Sequence, residues 1–161
     1  MKIKKVIIGL LFTVSSYQLE AIADNIIAQS LGAQTINSLS GPTDLFLITC
    51  PSNQSEVPAY LTVSLKDETT SLKNAGIISL QIQKDSQAVS VTDPTGGDKV
   101  YSKSIQLWPV SRNIAQGTGA YFVSVNKGTS AARSYSLTYW CVTKTGIHTS
   151  GATSYRRLQN Q

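Results

Sequence analysis

The chain is poor in the side chains most enzymes use. Its 161 residues include one histidine, His148, and two cysteines, Cys50 and Cys141. A serine-nucleophile hydrolase needs a base held against the serine and an acid behind that base. His148 lies beyond the last patterned run, where it reads as an exposed tail residue, and no Gly-x-Ser-x-Gly elbow occurs. Zinc is not expected, since one histidine and two cysteines that pair with each other leave too few donors. Carboxylates are sparse as well. Asp67 and Glu68 adjoin in a turn, while Glu56 and Asp85 stand alone near run ends, so none reads as a paired acid and base. The expectation is a protein that is not an enzyme.

Long apolar runs are also lacking. The single candidate, Val6 to Val14, is too short to span a bilayer. It follows Lys2, Lys4 and Lys5 and precedes Ala21-Ile22-Ala23, the order of an export signal with its cleavage site. Residues 1–23 are therefore expected to be removed, leaving a secreted or periplasmic bacterial chain from Asp24 with no membrane span. No cysteine follows the apolar run closely, so a lipid anchor is not expected. The net charge of +5 falls to +3 without the signal, because Lys2, Lys4, Lys5 and Glu20 leave with it. So small and dispersed an excess argues against nucleic acid or an anionic membrane as partner.

What the chain does have is alternation. Leu61, Val63 and Leu65 alternate with Thr62 and Ser64; Ile78, Leu80 and Ile82 alternate with Ser79, Gln81 and Gln83. Val89 and Val91 continue the pattern, and Ile105 and Leu107 close the weaker run from Val100. Tyr121, Val123 and Val125 alternate with Phe122 and Ser124, and Tyr135, Leu137, Tyr139 and Cys141 with Ser136, Thr138 and Trp140. Asp44 to Cys50 holds the continuous apolar run Leu45-Phe46-Leu47-Ile48, as in a strand covered on both sides or near a sheet centre. Pro51-Ser52-Asn53, Asp93 to Asp98, Gly117-Thr118-Gly119 and Asn126-Lys127-Gly128 punctuate these runs as turns. Seven short strands at this spacing, with no helical period, predict an all-β, antiparallel β-sandwich of jelly-roll type. The domain is expected over 42–142. Residues 24–41 are an N-terminal segment or extra strand, and 143–161 a flexible polar tail.

Parity places Cys50 on the face of Phe46 and Ile48, and Cys141 on the face of Tyr135, Leu137 and Tyr139. Both sulfurs point inward, and in an oxidising compartment one intradomain disulfide between Cys50 and Cys141 is expected.

Gly119-x-Tyr121-x-Val123-x-Val125, followed by Tyr135-x-Leu137-x-Tyr139, resembles the closing hairpin of the bacterial pre-peptidase C-terminal (PPC-like) domain. Thr43-Asp44-Leu45-Phe46 is similar to that family's opening. The resemblance covers about Pro42 to Val142 and implies a compact jelly-roll sandwich of the kind attached to exported enzymes. The family's acidic Asp-x-Asp strand motif is absent; Ser79-Leu80-Gln81-Ile82 falls where it would lie, which removes the basis for carrying over a calcium site.

Two candidate sites follow from the residues themselves. Asp93-Pro94-Thr95-Gly96-Gly97-Asp98 sets Asp93 and Asp98 around a glycine turn, a loop with oxygen ligands for calcium, although the same residues also make an ordinary tight turn. Trp140 and Phe122 fall on the outward faces of their strands. If those faces are open and adjacent they form one apolar binding patch, to which Trp108 contributes; otherwise the N-terminal segment or a loop covers them. Tyr155, Arg156 and Arg157 read as a short basic tail. The expected function is an exported binding module for a protein, an envelope component or a polysaccharide. The alternative is a structural subunit of a surface or fimbrial assembly, with residues 24–41 pairing with a neighbour's sheet edge.

Overall fold

The computed structural model describes residues 25–31, 42–52, 56–70, 77–109, 117–128, 131–149 and 153–160. Residues 1–23, expected as an export signal, lie outside the described residues. Nine strands follow in order: β1 (Asn25–Leu31), β2 (Thr43–Cys50), β3 (Pro58–Asp67), β4 (Ile78–Lys84), β5 (Gln87–Asp93), β6 (Ile105–Leu107), β7 (Gly119–Lys127), β8 (Arg133–Thr143) and β9 (Ser154–Gln159). No α-helix occurs among the described residues.

The strands form two antiparallel sheets, ordered β1-β8-β3-β6 and β5-β4-β7-β2-β9. The pairing is nested: β1 with β8, β2 with β7, β3 with β6, β4 with β5. Further pairs, β3 with β8 and β4 with β7, knit these into the two sheets of a jelly roll. Each alternating run contributes its apolar side to one core between the sheets. Leu61, Val63, Leu65, Ile78, Leu80, Ile82, Tyr121, Val123, Val125 and Leu137 are all buried there. Each buried Val, Leu or Ile contributes roughly 1.5–3 kcal/mol relative to an exposed one.

Three features differ from the sequence reading, and in a fourth, residues 25–31, the structure takes the extra-strand alternative. The apolar run of β2 is half-buried in strict alternation rather than covered on both sides, because Leu45 and Leu47 face outward between β7 and β9. Strands β7 and β8 follow one another in the chain but belong to different sheets, so they are not a hairpin. Residues 25–31 of the N-terminal segment are a strand paired with this chain's own β8. The expected flexible tail includes β9, which pairs with β2 from Leu45 to Thr49. Its residues are exposed, so hydrophobic patterning gives no sign of it. Pairing with an edge and ring contacts hold it instead: Tyr155 packs edge-on against Phe46 and Tyr139 at 6.5 and 6.1 Å between centroids. Arg157 donates to the Gln29 side chain of β1, joining the two sheets along that side.

Candidate functional site

The two ends of the sandwich have opposite character. At one end β2, β3, β5, β7 and β8 bring together Asp44, Asp67, Asp93, Lys127 and Arg133, all buried. Arg133 pairs with Asp67 at 3.3 Å. Asp93 Oδ2 accepts from the Asp67 backbone N–H at 3.3 Å, and Tyr135 donates its hydroxyl to Asp44 Oδ2 at 2.6 Å. The last two bonds cross from one sheet to the other. Burial pushes the Asp93 carboxyl up, and burial followed by the neighbouring Asp44 pushes the Tyr135 hydroxyl up. Burial, with Arg133 adding to it, lowers Lys127. A buried network of this kind ties the sheets together.

The carboxylates of the loop considered for calcium take part in turn hydrogen bonds. Asp93 Oδ1 accepts from Thr95 N–H at 3.1 Å while Oδ2 is taken by Asp67, and Asp98 Oδ1 accepts from Val100 N–H at 2.9 Å. Asp93 is buried and Asp98 exposed, so each carboxylate stabilises its own turn. Among the described residues no group of three or more His, Cys, Asp or Glu side chains is placed to hold a metal.

The opposite end carries the aromatics. The outer face of the β1-β8-β3-β6 sheet presents Tyr60 and Thr62 from β3, Trp140 and Val142 from β8, and Gln106 from β6. Tyr60 is opposite Val142, and Thr62 lies between Trp140 and Gln106. Trp108, one residue past β6, stacks on Tyr60 with centroids 4.0 Å apart and planes 27° apart. Tyr60 is covered to 7 % exposure while Trp108 keeps 45 %. One indole face therefore rests on the tyrosine and the other is turned to solvent. The Trp108 N–H donates to Gln106 Oε1 at 3.3 Å, which fixes the ring's rotation.

Beyond β8 the chain turns back on itself. Thr143 N–H donates to the Ile147 carbonyl and Thr149 N–H to the Cys141 carbonyl, which sets His148 opposite Val142. The imidazole then stacks on Trp140 at 5.1 Å with planes 20° apart. His148 is thus half-buried against an indole rather than free in a tail, and the buried carboxylates sit at the far end of the sandwich. A wide groove of about 390 Å³ adjoins this turn, lined by Glu56, Val57, Thr143, Lys144, Thr145 and Ile147.

Phe122 is not part of this surface. It is 44 % exposed on the outer side of the other sheet, between Leu47 and Gln83. The patch expected from Trp140 and Phe122 therefore divides onto opposite faces of the molecule, because β7 and β8 lie in different sheets. Trp108 and Trp140 do share a face. Tyr60, which the sequence reading did not name, and His148, which it placed in an exposed tail, join them. Tyr60 was legible by parity, since Leu61, Val63 and Leu65 point inward; His148 was not, because the turn between Thr143 and Ile147 positions it.

The fold and this end together define a jelly-roll β-sandwich with a row of paired aromatic rings across one outer edge. Compared with protein-family models, curated proteins and solved structures, the chain matches none of them.

Proposed function

We propose that this chain is an exported, non-enzymatic binding module whose ligand is a polysaccharide outside the cytoplasm, held on the Tyr60, Trp108, Trp140 and His148 face. The observation that carries the reading is the Tyr60–Trp108 stack. A large apolar ring held flat, with one face open, matches the C–H face of a sugar ring and loses little entropy on binding. The surroundings favour a ligand of low charge. Thr62, Gln106 and Ser104 are uncharged, Lys66 is paired with Glu68 at 2.6 Å, and Glu56 and Lys144 balance across the groove. Export belongs to the same proposal. It rests on the leader pattern of residues 1–23 and on a disulfide that suits an extracellular or periplasmic setting. Kinship with the PPC-like domain family is likewise proposed, on the segments now seen as β2, β7 and β8.

The alternative, a subunit assembling by strand exchange, requires β1 to leave its own sheet. In this structure β1 pairs with β8 from Asn25 to Leu31. Affinity electrophoresis of the exported chain through gels containing neutral or charged polysaccharides tests the main reading. Retardation by a neutral polysaccharide, abolished by Trp108→Ala at unchanged melting temperature, is the expected result. No retardation in any gel, or retardation that Trp108→Ala leaves intact, sinks it.

A further inference from the structure

The four edge strands of the sandwich are guarded unequally. β6 has only three residues, β9 carries Arg156 and Arg157, and the side chain of Arg157 reaches across to Gln29 of β1. Short length and charge are the usual protections of a sheet edge. β5 is longer, and its one charge, Asp93, is buried at its end; Gln87-Ala88-Val89-Ser90-Val91-Thr92 is uncharged, free of proline and regularly paired with β4.

The register of the β4–β5 hairpin says which backbone groups face out. Lys84 and Gln87 close a two-residue turn at Asp85-Ser86, with Asp85 at φ 53°. A two-residue hairpin turn closes on a pair that exchanges both backbone bonds. Gln87, Val89, Val91 and Asp93 therefore bond to β4, and Ala88, Ser90 and Thr92 turn their N–H and C=O groups to the open edge. Among the described residues no backbone group pairs with that edge. An open groove of about 520 Å³ runs beside it, lined by Lys103 as well as by Val89, Val91 and Ile105, which are only partly buried.

We propose that this edge takes the β5 of a second copy of the chain, joining two five-stranded sheets across a twofold axis at Ser90. The occupant is written in the strand itself, because Val89-Ser90-Val91 reads the same in both directions. Antiparallel pairing about Ser90 sets Ser90 against Ser90, Val89 against Val91 of the second copy and Ala88 against Thr92. Every inward residue then meets an inward residue, so the apolar interior continues from one copy to the next. The outward-turned groups of Ala88, Ser90 and Thr92 become bonded pairs, and the interface is isologous, as a closed dimer requires.

Light-scattering mass over a dilution series of the exported chain is expected to show a dimer dissociating to a monomer. Ser90→Lys places two like charges on the axis and is expected to weaken the dimer at least about tenfold, with the dilute monomer's melting temperature unchanged since Ser90 is exposed. A second pair of variants reads the register. Ser90→Cys is expected to crosslink on oxidation, because paired Cα atoms there lie about 5.5 Å apart. Thr92→Cys is expected not to, its symmetry mate being displaced by about 13 Å. A monomer at every concentration, a dimer indifferent to Ser90→Lys, or equal crosslinking of the two cysteine variants overturns the proposal.

Discussion

Cys50 of β2 and Cys141 of β8 lie on different sheets, and their disulfide closes the sandwich with Cα atoms 5.6 Å apart. Packed sheets ordinarily stand about 10 Å apart, so the sheets converge at this end. Trp140 and Val142, flanking Cys141, point the other way and carry the aromatic face. The bridge spans 91 residues of chain, a loop whose closure is worth roughly 4–5 kcal/mol. Cys50→Ser is expected to lower the melting temperature by roughly 10–20 °C, measured by circular dichroism. An unchanged melt would remove the bridge from any role in stability.

At the far end the Arg133–Asp67 pair is buried on both sides. Arg133→Ala strands a carboxylate in the interior and is expected to cost about 3–5 kcal/mol in urea unfolding. Replacing both groups with apolar residues, Arg133→Met with Asp67→Leu, is expected to cost less than the single change. The reverse order would mean that the pair itself, rather than the avoidance of an orphaned charge, stabilises this end.

Asp93 sets a pH dependence of definite sign. Burial raises its folded pKa above the ordinary 3.8, so the folded state holds the proton more tightly than the unfolded chain does. That contribution is complete below the ordinary value and is lost as the pH rises through the folded one. Asp93→Asn cannot lose it. The difference in melting temperature, variant minus wild type, is expected to grow between about pH 3 and about pH 7. A difference that shrinks over this range would contradict the assignment.

Deleting residues 153–161 tests the ninth strand. Loss of the β2–β9 ladder and of the Tyr155 contacts with Phe46 and Tyr139 is expected to destabilise the fold by about 2–4 kcal/mol, less than the roughly 3–5 kcal/mol of a fully buried aromatic because Tyr155 is half-exposed. Hydrogen exchange of β2 amides is expected to quicken alongside it. A deletion without effect would return this segment to a tail.

The strands with alternating patterns were readable in advance because period two couples directly to burial: Leu61, Ile78, Val123 and Leu137 each face inward where parity put them. β9 was not readable, since Ser154 to Gln159 are exposed on both faces and only tertiary pairing with β2 holds them. The buried Asp44, Asp67 and Asp93 looked like ordinary polar residues because their partners come from strands distant in sequence.

The sequence by itself determined the all-β class, the inward direction of both sulfurs and the outward direction of Trp140 and Phe122, all of which follow from local alternation along single strands. Only the tertiary structure decided which outward residues share a surface. Alternation states which side of its own strand a residue occupies, not which sheet that strand joins. Nested pairing sent β7 and β8 to different sheets, placing Phe122 and Trp140 on opposite faces and gathering Tyr60, Trp108, Trp140 and His148 on one.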